Sequence, residues 1–100
     1  MTNQELTSRL HDNVDALIKL HNKQIGEVEK AIGVSVGYFG RTWNNRSFDL
    51  PITKVVAIAE YFGIELNDLI YGNYKKAYLI MQREKIAREL KEMDEAIKKG

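Results

Sequence analysis

The chain reads as an all-α protein, with five short helices followed by one long one. Three observations predict this. Apolar residues recur at spacings of three and four along nearly the whole chain, and nowhere do they alternate for long, which is the period of helix and not of strand. Glycines stand just past three of the apolar runs, at Gly33, Gly63 and Gly72, where helices close. From Asn73 onward the chain is charged and lacks glycine and proline until its last residue, Gly100, as a single long helix requires.

The first helix is expected to begin after Thr2. Thr2 and Glu5 have the spacing of a capping box, in which each satisfies a free backbone amide. Leu6, Leu10, Val14, Leu17 and Ile18 then form one apolar stripe, and Asn22 marks the end. His11, Asp12, Asp15, Lys19 and His21 fall mostly off that stripe. The second helix spans Lys23 or Gln24 to Ile32 and buries Ile25, Val28 and Ile32. Gly33 supplies a left-handed residue, Val34 points inward, and Ser35 is placed to cap the next helix. That third helix covers Val36 to Asn44, with Phe39 and Trp43 one turn apart as its core anchors.

Residues 45–49 form a loop. Pro51, the only proline, has the φ of a helix first turn. Ile52, Val55, Val56, Ala59 and Phe62 make the apolar stripe of the fourth helix, and Leu66, Leu69 and Ile70 that of a short fifth. Residues 1–72 therefore read as one domain and residues 73–100 as a helical appendage.

Composition narrows the function. With no cysteine there is no disulfide framework and no thiolate metal site. No run is apolar enough to span a membrane and MTNQELTSRL is too polar for a signal peptide, so a cytoplasmic location is expected. Fifteen basic residues against fourteen acidic ones argue against a general polyanion binder. The charge is unevenly placed, however: residues 23–48 sum to +2 and residues 49–72 to −3. A small basic footprint beside an acidic one suits a module that docks one face on DNA.

The stretch from Gln24 to Asn45 carries that idea, because two short helices around a tight turn form a helix-turn-helix, whose second helix enters the major groove. With Phe39 and Trp43 inward, the opposite face of the third helix carries Gly37, Tyr38, Arg41, Asn44 and Asn45. Arg41 has the planar fork that bonds guanine O6 and N7 together, and Asn44 and Asn45 suit adenine or phosphate. Tyr38 suits phosphate or a thymine methyl, and Gly37 lets the backbone approach. Ser35 and Val36 stand at the helix start, and Lys23 and Gln24 suit backbone contacts that fix register. Arg46, in the loop, suits phosphate. Each residue also has a plainer role: a surface ion pair for Arg41, packing on the second helix for Tyr38, a helix C-cap for Asn45 and a solvated charge for Arg46.

Two segments, EVEKAIGVSVGYFGR and PITKVVAIAEYFGIELNDLI, resemble the Xre or lambda-repressor-like helix-turn-helix family, and the likeness extends over residues 6–72. The resemblance implies a five-helix lambda-repressor-like domain and sequence-specific binding of double-stranded DNA, usually as a dimer and in transcription control of a bacterial or phage type. Aligned on the turn, Ile25 and Glu29 replace the family's usual glutamine and small residue, so Glu29 is expected to be half-buried or paired, with Arg41 or Lys30, and Gln24 to take over the glutamine's role. Gly40 replaces a serine or threonine. Gly37 and Gly40, both read as lying inside the third helix, each cost about 1 kcal/mol relative to alanine and soften it.

In the last helix, Leu79, Ile86, Leu90, Met93 and Ile97 approximate a heptad seam interrupted by Arg83, with Tyr78, Ile80 and Met81 widening the apolar surface where it meets the domain. This predicts a homodimer. The alternatives are a helix folded back on its own domain, or one that binds a partner protein, as in an antitoxin-type regulator or an interaction module. No enzyme is expected, because Ser35 has no evident base or orienting group. His11 and Asp15 share a helix face but have no further ligand nearby, so no metal or other cofactor is expected.

Overall fold

The computed structural model describes residues 1–44 and 49–99, with only the backbone of Trp43 and Asn44. The core role expected of Trp43, and the DNA contacts expected of Asn44, Asn45 and Arg46, lie outside the described side chains. Six α-helices and no strand occupy the described residues: α1 Asn3–Leu20, α2 Ile25–Ile32, α3 Tyr38–Asn44, α4 Ile52–Phe62, α5 Leu66–Tyr71 and α6 Tyr74–Lys99.

Local signals set most of the boundaries. Thr2 accepts the Glu5 amide at 3.1 Å and starts α1. Gly33 and Gly63 adopt φ of 77° and 67° and close α2 and α4 in the left-handed conformation expected of glycine. Pro51 stands just before the first turn of α4 as its N-cap, not within it. Gly72 ends α5 differently from the other two, with an extended backbone at φ −67°. A Cβ there meets the Asp68 carbonyl oxygen at an impossible separation and the Tyr74 ring at 3.1 Å. Gly72→Ala is expected to lose about 1–3 kcal/mol, the usual cost of overpacking, read as a lower urea midpoint at unchanged slope.

The core is built from five helices. Val14, Leu17 and Ile18 of α1 meet Val28 and Ile32 of α2, Phe39 of α3, Val55, Ile58, Ala59 and Phe62 of α4, and Leu69 of α5, with Leu50 from the segment before α4. Burial of these apolar side chains is the main favourable term in folding. The stripe of α4 runs through 55, 58, 59 and 62, so Ile58 is central, while Ile52 and Val56 are exposed. Ile52 lies in the first turn, past the edge of the core, where it lines an open cleft of about 210 Å³ with Leu6, Leu10, Val55 and Ile70. Ile25, expected inside, is likewise exposed at the start of α2.

The buried face of α1 is wider than its apolar stripe, since it includes His11 and Asn13. Asn13 acts as a clamp. Its amide nitrogen donates to the carbonyls of Leu69 at 2.7 Å and Gly72 at 2.9 Å, and its oxygen accepts the Tyr74 amide at 3.0 Å. One side chain thus satisfies orphan backbone groups at the end of α5 and the start of α6, and fixes the angle between them.

Docked in this way, α6 packs on α1 through one narrow face. Tyr74, Tyr78 and Gln82 are half-buried, Lys75 lies 3.9 Å from Asp12, and Lys19 sits over the Tyr78 ring at 5.4 Å. Because the docked face follows the i, i+4, i+8 row, Ile80 and Met81 fall outside it and are exposed, contrary to expectation. None of the 26 residues of α6 is buried, and every described residue beyond Gln82 is exposed. Beyond Gln82 the helix leaves the domain. It projects, and the molecule is 56 Å along its longest axis.

Candidate nucleic-acid interface

The candidate surface is the α2–turn–α3 unit. At the end of α2 the Val34 amide bonds the Glu29 carbonyl at 3.0 Å and the Gly33 amide bonds that of Lys30 at 3.3 Å, so the last carbonyls of the helix are satisfied as the chain reverses. Val34 then turns inward onto the core, as expected. The third helix begins two residues later than its sequence suggests, at Tyr38. Gly37 lies outside it with φ 86°, a backbone that only glycine adopts without strain. The softness expected from two glycines therefore reduces to Gly40 alone.

The start of α3 is held by a residue of α2. Glu29 is 1% exposed, and its two carboxylate oxygens accept the amides of Gly37 at 3.2 Å and Phe39 at 2.9 Å. These amides, and not the cations of Arg41 or Lys30, are its partners. A carboxylate at a helix N-terminus opposes the positive end of the backbone dipoles and satisfies free donors. The capping expected of Ser35 thus falls to Glu29. Below it, Phe39 is fully buried and Thr42 bonds the Phe39 carbonyl at 3.0 Å.

Ser35 instead receives Arg41, whose Nη2 donates to its hydroxyl at 2.8 Å. The other guanidinium nitrogen lies over Gly37, where a Cβ would stand 3.3 Å from it. The fork is therefore laid across the turn, on the exposed side of the unit. Tyr38, beside it, is half-buried and packs edge-on against Phe39, with ring centroids 5.8 Å apart. Burial pushes the Tyr38 hydroxyl above its ordinary value, and the neighbouring Arg41 charge opposes that shift. The phenol stays protonated at neutral pH and remains a hydrogen-bond donor.

The fold thus brings Ser35, Gly37, Tyr38 and Arg41 together, with Val36 projecting beside them at 85% exposure. Lys23 and Gln24 stand at the opposite end of α2. Lys23 is 4.0 Å from Glu27 in an exposed pair of little energetic weight, and Gln24 is the exposed N-cap residue with no side-chain cap bond. Between residues 23 and 44 the outward charges are Lys23, Glu27, Lys30 and Arg41, because Glu29 is consumed internally. Sequence reasoning missed the exposure of Ile25, which adds an apolar contact next to Gln24. Its place in the first turn of α2 was the available signal. Among the described residues no group of His, Cys, Asp or Glu is placed to hold a metal ion, and no helix is long and apolar enough to cross a membrane. Comparison with known proteins gives no match, whether to a family model, a curated protein or a solved structure.

Proposed function

We propose that residues 1–72 form a lambda-repressor-like helix-turn-helix domain that reads double-stranded DNA with α3 in the major groove, and that the chain works as a homodimeric transcriptional regulator joined through α6. The observation that carries the reading is the placement of Arg41. Its guanidinium is tied to Ser35 at 2.8 Å and lies over a glycine, on the exposed side of a unit whose inner side is locked by Glu29 and Phe39. A planar donor fork held in place in this way loses little freedom when it bonds a guanine edge or a phosphate. Ser35, Val36 and Tyr38 supply a phosphate partner, an apolar contact and a hydroxyl around it, with Lys23 and Gln24 at the far end of α2 for backbone contacts.

Arg41→Ala removes an exposed side chain and leaves the fold intact. It is expected to weaken binding to a selected duplex by roughly 5–150-fold if the fork contacts a base, corresponding to about 1–3 kcal/mol. Fluorescence anisotropy on that duplex, with the helical circular-dichroism signal as the folding control, measures it. Unchanged affinity removes Arg41 from the interface.

A second reading rests on the exposed apolar stripe of α6, which suits a different protein as well as it suits a copy of this chain. On that reading the chain is an antitoxin-type regulator or an interaction module, and a stoichiometric second polypeptide co-purifies with it.

A further inference from the structure

The apolar seam of α6 has a direction written into its charges. In heptad terms Leu79, Ile86 and Met93 occupy one core position and Arg83, Leu90 and Ile97 the other. Leu79, Ile86, Leu90, Met93 and Ile97 are 54–74% exposed, so nothing among the described residues covers them. The seam also lies roughly 100° around the helix from the docked face of Tyr74, Tyr78 and Gln82, which leaves it clear of the domain.

A parallel pairing sets each residue beside its own copy. Arg83 then meets Arg83 in the core, and Glu89 meets Asp94 of the second copy at both edges, so every charged contact is between like charges. Antiparallel pairing reverses this. Placed about a midpoint at Arg88, Leu79 faces Ile97, Ile86 faces Leu90 and Arg83 faces Met93, each pair occurring twice, so the full seam is covered. The Arg83 stem then lies along the second copy's Met93 with its guanidinium beside the second copy's Asp94. One like pair is left at the centre, Glu89 with its copy. A groove of about 390 Å³, lined by Asn73, Lys75, Lys76, Leu79, Ile80 and Arg83, receives Ile97 of the second copy, and its basic rim suits the acidic Asp94.

We infer that two copies of this chain pair through α6 in antiparallel orientation, with Ile97 of one copy against Leu79 of the other. The inference rests on the homodimer reading above and adds its geometry. The docked residues of each copy centre near Tyr78, ten positions from the midpoint. The two domains therefore stand about 30 Å apart along the helix pair. That is close to the roughly 34 Å between half-sites one DNA turn apart.

The chain has no cysteine, so introduced thiols report the geometry directly. Leu79 and Ile97 are both exposed, and replacing them leaves the domain folded. Under mild oxidation the double variant Leu79→Cys/Ile97→Cys is expected to form a covalent dimer in high yield. Ile97→Cys alone is expected to stay uncrosslinked, because its two copies lie about 27 Å apart. Efficient self-crosslinking of Ile97→Cys overturns the antiparallel arrangement in favour of a parallel one. Sedimentation of the unmodified chain as a monomer overturns the pairing itself. Neither result bears on DNA reading by α3, which the Arg41 titration tests separately.

Discussion

Glu29→Ala is expected to be among the most damaging single substitutions in the domain, lowering unfolding free energy by about 3 kcal/mol or more. The carboxylate is buried and accepts two backbone amides at the start of α3. Hydrogen bonds to a charged group contribute roughly 1.5–3 kcal/mol each, and removing the acceptor strands the buried Phe39 amide away from water and leaves the half-buried Gly37 amide without it. Glu29→Gln separates the causes. It keeps the shape and one oxygen, but turns an NH₂ group toward a second N–H, so about half the loss is expected to remain. Urea denaturation of the three proteins gives the series. DNA affinity is expected to fall with stability along it, because the cap orients the helix that carries Arg41. A Glu29→Ala protein as stable as its parent contradicts the capping role.

Asn13→Asp is expected to cost as much as Asn13→Ala or more, an inversion of the usual preference for the isosteric change. The amide nitrogen donates to two carbonyl oxygens, at 2.7 and 2.9 Å, while the amide oxygen accepts the Tyr74 amide. Alanine loses all three bonds and leaves the Leu69 carbonyl and the Tyr74 amide unsatisfied, with Gly72 keeping only its 3.5 Å bond from Arg9, at about 2–4 kcal/mol. Aspartate keeps the bond to Tyr74 but sets a carboxylate oxygen against two carbonyls in a buried site. The damage is expected to be local first. The Tyr74 amide and the first turn of α6 exchange with solvent faster than the core of α4, as hydrogen exchange followed by mass spectrometry reads. Uniform protection across α6 in either variant contradicts the clamp.

These two residues mark what the sequence hides. The cap at Thr2 and the left-handed glycines at 33 and 63 are legible because they follow from residues a few positions apart. So are the buried Val28, Phe39 and Leu69, which sit on helical periods. Asn13 is polar, lies in a helix, and finds its partners 56 to 61 residues away, so no local pattern announces it. Glu29 breaks the expected small-residue position in α2. Only the reversal at Gly33 shows that it faces the amides of Gly37 and Phe39. The left-handed Gly37 moves the start of α3 past a residue whose composition alone fits either side. Ile25, Ile52 and Val56 fit their stripes by period, yet lie at or beyond the edge of a core whose extent only tertiary packing defines. On the candidate interface, the outward placement of Arg41 follows from helix phase, whereas Val36 is exposed in the turn ahead of α3. The tie between Arg41 and Ser35 does not, since it depends on how the turn folds back over the helix.

The claim on which the account turns is that α3 reads DNA, and selection from a pool of random duplexes tests it most directly. Enrichment of a short two-fold symmetric sequence with half-sites about one helical turn apart is expected. Affinity for that sequence is expected to fall steeply as salt rises, by roughly 0.9 log unit per log unit of salt for each phosphate contacted. A folded protein that enriches no sequence, and whose residual binding is indifferent to Arg41→Ala, contradicts it.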